Sequence, residues 1–342
     1  MSPKPTPPAK IKYAFDWAEL AFASKKPVRS LKAIFIAAPR ELSNERFKQL
    51  IKEYLPQGNI VLGIAKEEYI DGFEGQPQFR TLQLKDVQGI VDTINKRKAI
   101  RHRIYTLDYF QRELPFLIDE LNFSSVVLIR GSWQYMFHTS PAYYRLMQRK
   151  ITYAMVSPFT DEVEARAYAK KIDLIYERWE IDYFHQDGYS EKGMFELAAT
   201  AAKLSFDYNF QTGLAIGRKM RRPTDADEQR YEALGVTYNE VVPFSTYAMH
   251  YGNVRETHLS PPNDLNYYDT NHAEVDLIVG ALKHKLDLAG TILFINLLPC
   301  PTCARMLSKT DIEEVIYTVD HSDGYAIKML EAAGKKVRRV VL

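Results

Sequence analysis

Short apolar runs alternate with segments of helical periodicity over the first half of the chain, and this alternation constrains the fold more than any other feature. The runs are residues 31–38 (LKAIFIAA), 59–65 (NIVLGIA), 125–129 (SVVLI) and 151–156 (ITYAMV). After the first, Ser43 offers an N-cap, and Phe47, Leu50, Ile51 and Tyr54 recur at i, i+3, i+4 and i+7 until Pro56 stops the helix. A further helix is expected around residues 141–150, between the last two runs. Runs this short, apolar throughout and separated by helices, predict a mainly parallel sheet covered on both faces.

The chain has 342 residues, room for two domains, and its 46% hydrophobic and 26% charged content is that of an ordinary globular protein. Residues 1–30, with Pro3, Pro5, Pro7 and Pro8 near the start, read as a flexible tail. Residues 31–187 form a Rossmann-like α/β domain whose ligand the sequence does not name. Its loop Arg130-Gly131-Ser132-Trp133 follows a strand, at the end where open α/β sheets bind ligands, but no glycine-rich phosphate loop accompanies it. A long charged helix over 161–179 leads to a boundary near 187. Residues 188–342 form the second domain, opening with a helical stretch over 194–206 and a strand over 213–217. No apolar run approaches the roughly 18 residues of a membrane helix, and the start lacks a signal-peptide core. We expect a cytoplasmic protein without a membrane partner. Lys+Arg 45 against Asp+Glu 43 argues against a surface built throughout for nucleic acid, while leaving room for a local basic groove.

The chain contains 2 cysteines, Cys300 and Cys303, spaced C-x-x-C. A secreted disulfide framework would scatter several, so the pair points to metal or redox chemistry. A structural zinc ribbon needs a second C-x-x-C, which is absent, and a redox pair leaves the upstream Asn271-His272-Ala273-Glu274 unexplained. His272 opens a helix with an apolar stripe at Val275, Ile278, Val279 and Leu282, whereas Cys300 and Cys303 follow the apolar run 290–298 and begin another helix. The combination H-x-E, 24 residues, P-C-x-x-C is identified as the zinc nucleobase-deaminase signature. Physically, His272 and two thiolates give three zinc ligands and leave the fourth position to water. A helix start stabilises thiolates. Glu274 then carries protons from the water to the ring nitrogen and the leaving amine.

The residues around the motif resemble the deoxycytidylate deaminases of the cytidine deaminase-like superfamily. The resemblance covers residues 271–342 and rests on NHAE, AGTILFINLLPCPTCARML, EEVIYTVD and AIKMLEAAGKKVRRV. It implies an α/β/α domain with a five-stranded mixed sheet, the two zinc-bearing helices on one face, Zn2+ on His272, Cys300 and Cys303, and Glu274 as proton shuttle. It also implies hydrolytic deamination of a cytosine nucleotide, dCMP to dUMP first, and a homo-oligomer. Upstream the pattern departs. The family presents an asparagine from a glycine-containing turn, for which Asn253 in TYAMHYGN is the stand-in. A charged segment over 218–235 stands where a tight hairpin is expected.

Asn253, Asn271, Tyr325 and Arg218 are candidate substrate contacts. Tyr325 could stack on a pyrimidine, and Arg218, with Lys219, Arg221 and Arg222, could hold a phosphate or a nucleic-acid backbone. The basic run 96–103 (KRKAIRHR), the pair Asp320 and His321, and Arg305 two residues past Cys303 complete the candidates. The partner is therefore a small cytosine nucleotide, with cytosine in single-stranded DNA or RNA as the alternative. A catalytically silent nucleotide-binding scaffold is a further alternative, and the intact Glu274 argues against it.

Overall fold

The computed structural model describes residues 31–183, 188–220, 229–261, 267–320 and 324–341. The tail assigned to 1–30 lies outside them. Strands β1 (Ala33–Ala37), β2 (Asn59–Ala65), β3 (Ile104–Tyr109), β4 (Phe123–Ile129) and β5 (Thr152–Val156) alternate with helices α1 (Asn44–Tyr54), α2 (Leu84–Lys96), α3 (Leu114–Glu120) and α4 (Pro141–Arg149). The strands form one parallel sheet in the order β3-β2-β1-β4-β5. Strand alternation explains the two-sided cover. Phe35, Val126 and Leu128 face Leu117, Ile118 and Leu146 of α3 and α4, whereas Ile34, Ile36, Val127 and Ile129 face Phe47, Leu50, Val87 and Val91 of α1 and α2. Ser43 caps α1 by accepting from the backbone N–H of Arg46.

Helix α5 (Glu162–Tyr183) leads on from the first sheet, and α6 (Glu191–Ala202) precedes the second. Strands β6 (Gly213–Lys219) and β7 (Tyr231–Tyr238) pair antiparallel. The described ends of the charged segment over 218–235 are thus paired strands. Its flanks are strand, and residues 221–228 between them lie outside the described residues. The short strands β8 (Glu240–Val241) and β9 (Thr270–Asn271) pair with each other across helices α7 (Tyr247–Tyr251) and α8 (Val254–Thr257). Then follow α9 (Ala273–His284), β10 (Ile292–Leu297), α10 (Pro301–Leu307), β11 (Glu314–Val319), α11 (Tyr325–Ala332) and β12 (Lys336–Arg339).

The second sheet is mixed and five-stranded, in the order β12-β11-β10-β6-β7. One face carries α9, α10 and α11 through Leu277, Ala304, Leu307 and Leu330, and the other carries α6 through Met194, Phe195 and Ala198. A Cβ at Gly213 would stand 2.1 Å from the carbonyl oxygen of Ala198, so the absence of a side chain there sets how closely α6 lies on β6. Both sheets agree with the sequence reading. Among the described residues, no helix is long and apolar enough to cross a membrane.

A separate apolar cluster joins the elements around the two sheets. Phe73, Phe79, Phe159 and Ile172 meet Phe206, Tyr208 and Met249, with Phe73 and Phe79 stacked at 4.0 Å. Beside it the buried Glu256 accepts from Trp133 Nε1 at 2.7 Å, the Phe137 N–H at 2.9 Å and Tyr208 Oη at 3.2 Å. Burial pushes the Glu256 carboxyl above its usual range, against the pull of these three donors. Glu256→Ala leaves three donors without their acceptor, and should cost about 3 kcal/mol or more in urea unfolding. A loss under about 1 kcal/mol would mean that this network does not tie the two parts together.

Candidate metal centre

Two helix starts converge at the carboxyl end of β10, a central strand of the second sheet. The chain leaves β10 at Leu297, and the Leu298 N–H bonds the Val319 carbonyl, holding the exit beside the end of β11. Cys300 then becomes the N-cap of α10, in extended conformation, with Pro301 in the first helical position, where its fixed φ and missing N–H cost nothing. His272 is likewise the N-cap of α9, entered directly from β9. Because α9 and α10 lie side by side on one sheet face, their caps bring His272, Cys300 and Cys303 together. Both positive helix ends favour thiolates at this place.

His272 Nδ1 stands 3.6 Å from Cys300 Sγ and 3.4 Å from Cys303 Sγ, and all three donor atoms lie within 4.8 Å of one another. Around a tetrahedral Zn2+, with Zn–S of about 2.3 Å and Zn–N of about 2.0–2.1 Å, nitrogen and sulfur ligands stand roughly 3.6 Å apart. The two nitrogen–sulfur separations are already close to that edge, and the donor chemistry, one imidazole and two thiols, suits Zn2+. Hydrogen bonds from the Cys303 thiol, His272 and the Cys303 N–H lower the Cys300 pKa to about 3, favouring its thiolate. The Cys303 thiol is pushed up by the same Cys300 contact and by burial, and His272 is raised mainly by its hydrogen bond to Cys300. The trio shares protons that a cation displaces.

Glu274, in the first turn of α9, is 3% exposed and its carboxyl hydrogen-bonds Cys303. Burial raises its pKa above the usual carboxylate value. A carboxyl held away from bulk water and tuned upward in this way is suited to taking up and returning a proton near neutral pH.

The structure treats the remaining candidates differently. Asn271 is next to His272 in sequence, and its side-chain amide donates to Asp276 Oδ1 at 2.5 Å. Asn253 is 4% exposed, and its side chain caps α8 by accepting from the Arg255 N–H at 2.9 Å. It lines a narrow hollow together with Asp207, Arg255 and Tyr268. Tyr268 reaches the cluster, its ring edge-on to His272 at 5.2 Å, and the Arg255 guanidinium lies over the Tyr268 ring at 4.1 Å. Asp207 accepts from Thr270 Oγ1 at 2.6 Å behind this layer. Sequence reading missed Tyr268, Arg255 and Asp207; the nearest signal was Tyr267-Tyr268-Asp269, immediately upstream of the motif. A second hollow of about 280 Å³ shares Asn209 and Phe210 with the first and opens at the carboxyl ends of β10 and β11, beside Asn296, Leu297 and Thr318.

Tyr325 begins α11 and is 51% exposed. Arg218 is not brought to the cluster. On β6, which runs antiparallel to β10, it falls beyond the Gly217–Ile292 pair, at the opposite sheet end from Cys300, and lies 3.5 Å from the Asp287 carboxylate. Lys219 stands 3.5 Å from Glu314 there, and Arg221, Arg222 and His321 lie outside the described residues. Of the other basic run, Lys96 ends α2 and Arg103 turns its guanidinium onto the Ile100 carbonyl at 2.6 Å, so Arg103 closes its own loop. Arg305 is exposed on α10, 3.4 Å from Thr302 Oγ1.

Residues 228–319 match the cytidine and deoxycytidylate deaminase zinc-binding region, and this segment contains His272, Glu274, Cys300 and Cys303. A comparison with curated proteins finds no match. Among solved structures, the chain is similar to the dCMP deaminase of cyanophage S-TIM5 in complex with dCMP and dUMP, at 17% identity over 44% of this chain and 96% of that one, with a TM-score of 0.32. It is also similar to the Rib2 deaminase of Aspergillus oryzae, at 14% identity over 44% of this chain and 84% of that one, with a TM-score of 0.28. A third is a diaminohydroxyphosphoribosylaminopyrimidine deaminase/5-amino-6-(5-phosphoribosylamino)uracil reductase from Thermotoga maritima, at 18% identity over 43% and 34%, with a TM-score of 0.27.

Proposed function

We propose that the chain is a zinc-dependent hydrolase that deaminates a cytosine nucleotide, converting dCMP and water to dUMP and ammonia. The observation that carries this reading is the convergence of His272, Cys300 and Cys303 at metal-ligand spacing, with the Glu274 carboxyl buried against them. His272 Nδ1 and the two thiolates would hold Zn2+, which would supply the Lewis acidity that lowers the pKa of water to about 7. Glu274 accepts one proton from water and delivers it to N3 of the cytosine ring, then takes the proton of the hydroxyl added at the ring carbon and delivers it to the departing amine as the C–N bond breaks. Its carboxylate is protonated and deprotonated twice and ends as it began. Asn253 and Tyr325 serve as substrate contacts in this reading, and Asn271 fixes the approach to His272 through Asp276. Arg218, at the far end of the sheet, has no part in the pocket.

The substrate is tested on the full zinc-loaded chain with deoxycytidine, dCMP, dCTP, CMP and a cytosine-containing single-stranded oligonucleotide, product being measured by mass spectrometry. A preference for dCMP of about tenfold or more in kcat/KM is the expected outcome. Turnover of the oligonucleotide with none of any monomer would replace this reading with the polymer alternative.

A further inference from the structure

The first sheet carries a cavity that the metal centre does not use. In the order β3-β2-β1-β4-β5 the chain winds one way from β1 and then reverses, so the connections that leave the carboxyl ends of β1 and β4 run to opposite faces of the sheet. Such a switch point is where open α/β sheets bind ligands. A cavity of about 410 Å³ opens there, between Ala37 and Pro39 after β1, Leu128 and Ser132 at the end of β4, and the start of α4. That volume falls within the range of small-molecule sites. Tyr109, Trp133 and Phe137 give it aromatic walls, and Leu114, Leu128 and Ala142 line it with aliphatic surface.

One group inside lacks a partner. Ser132 is 4% exposed, and its hydroxyl makes no hydrogen bond among the described residues. A buried hydroxyl left unsatisfied is costly and calls for an explanation. Charge narrows the ligand class. The cationic side chain at the cavity is Arg112, which is exposed and lies over the Phe110 ring at 5.2 Å, and Asp71 lines the same opening. At the start of α4, the Tyr143 N–H is already taken by Ser140 and Pro141 has no N–H to offer. A phosphate would find few donors. A flat uncharged ring finds aromatic and aliphatic walls, and sugar hydroxyls find the carboxylate of Asp71 and the amide of Gln134.

We infer that this cavity at the switch point of the first sheet binds an uncharged nucleoside, with Ser132 inside it and Asp71 at its mouth. Gln134 also lines the hollow beside β10 and β11, and its amide packs against Gly72, whose φ is +87°. The nucleoside cavity and that hollow are thus separated by one layer of side chain and loop.

Isothermal titration of the full zinc-loaded chain with deoxycytidine, uridine, adenosine, guanosine and their 5′-monophosphates tests the assignment, in the wild type, Ser132→Ala and Ala142→Phe. At least one nucleoside should bind more tightly than its monophosphate. Its affinity should fall about tenfold or more in Ala142→Phe, whose added ring fills the cavity, and about fivefold when the Ser132 hydroxyl is removed. Unfolding midpoints check that each variant is folded. Ser132→Ala, which removes a single oxygen, keeps the question decidable if Ala142→Phe does not fold. Equal nucleoside affinity in the wild type and a folded variant would place binding elsewhere, at the metal centre for instance, and would overturn the proposal. So would tighter binding of the adenosine and guanosine monophosphates than of their nucleosides, or no nucleoside binding at all.

Discussion

Glu274→Gln should lower the rate of cytosine deamination by about 10²–10⁴-fold, the usual worth of a positioned acid–base group. Gln keeps the size of the side chain but can neither take up nor release a proton at neutral pH, so the variant removes the shuttle without opening a cavity. Glu274 is not among the three donor atoms, and one equivalent of zinc should remain bound. Its carboxyl is buried and its pKa raised by that burial, so the neutral replacement should leave the unfolding midpoint unchanged or move it upward. Activity, zinc content and midpoint are read on the same preparation. Activity within about tenfold of wild type, with zinc retained, would remove Glu274 from the proton path.

The second large effect is on the metal. Cys303→Ala takes away a thiolate that is 2% exposed and held within the first turn of α10. Structural zinc sites bind with about 10–16 kcal/mol, or roughly 3 kcal/mol per ligand, so losing one should weaken Zn2+ by about a hundredfold or more. Deamination should fall to background with it. An ion held by His272, Cys300 and Cys303 would tie the start of α9 to the start of α10 and favour the folded chain, so chelation should lower the unfolding midpoint of the wild type and leave the variant unmoved. The pH dependence has a definite sign. The ligands bind zinc deprotonated, so protons compete for Cys300, Cys303 and His272, and zinc retention falls as the pH falls. Full zinc stoichiometry in Cys303→Ala under competition with a chelator would contradict the ligand set.

Much of the fold was legible because burial is strongly periodic. Ser43 before Phe47, Leu50 and Ile51 marked α1 closely, and the apolar runs located β1, β2, β4 and β5 to within two residues. β3 escaped because Ile104-Tyr105-Thr106-Leu107-Asp108-Tyr109 follows a dense basic run and has polar residues on one face. The expected helix over 194–206 sits earlier, at Glu191–Ala202, because Ser190 caps it by accepting from the Gly193 N–H. β7 escaped because its strand was read as part of a charged insertion; pairing with β6, a tertiary fact, decides it. The convergence of His272, Cys300 and Cys303 was legible because cap positions fix side chains locally, and two C-x-x-C thiols with an H-x-E need little else. The surrounding layer was not. Tyr268, Arg255 and Asp207 come from three separate segments, and Arg218 stood as a candidate contact until the antiparallel register of β6 placed it at the far end of the sheet.

The most direct measurement is deamination of dCMP by the full zinc-loaded chain in water labelled with heavy oxygen. The account predicts dUMP carrying one heavy oxygen on the ring carbon that bore the amine, with one ammonia released per product. A folded, zinc-loaded preparation that yields no uracil product from dCMP or any other cytosine substrate would contradict it.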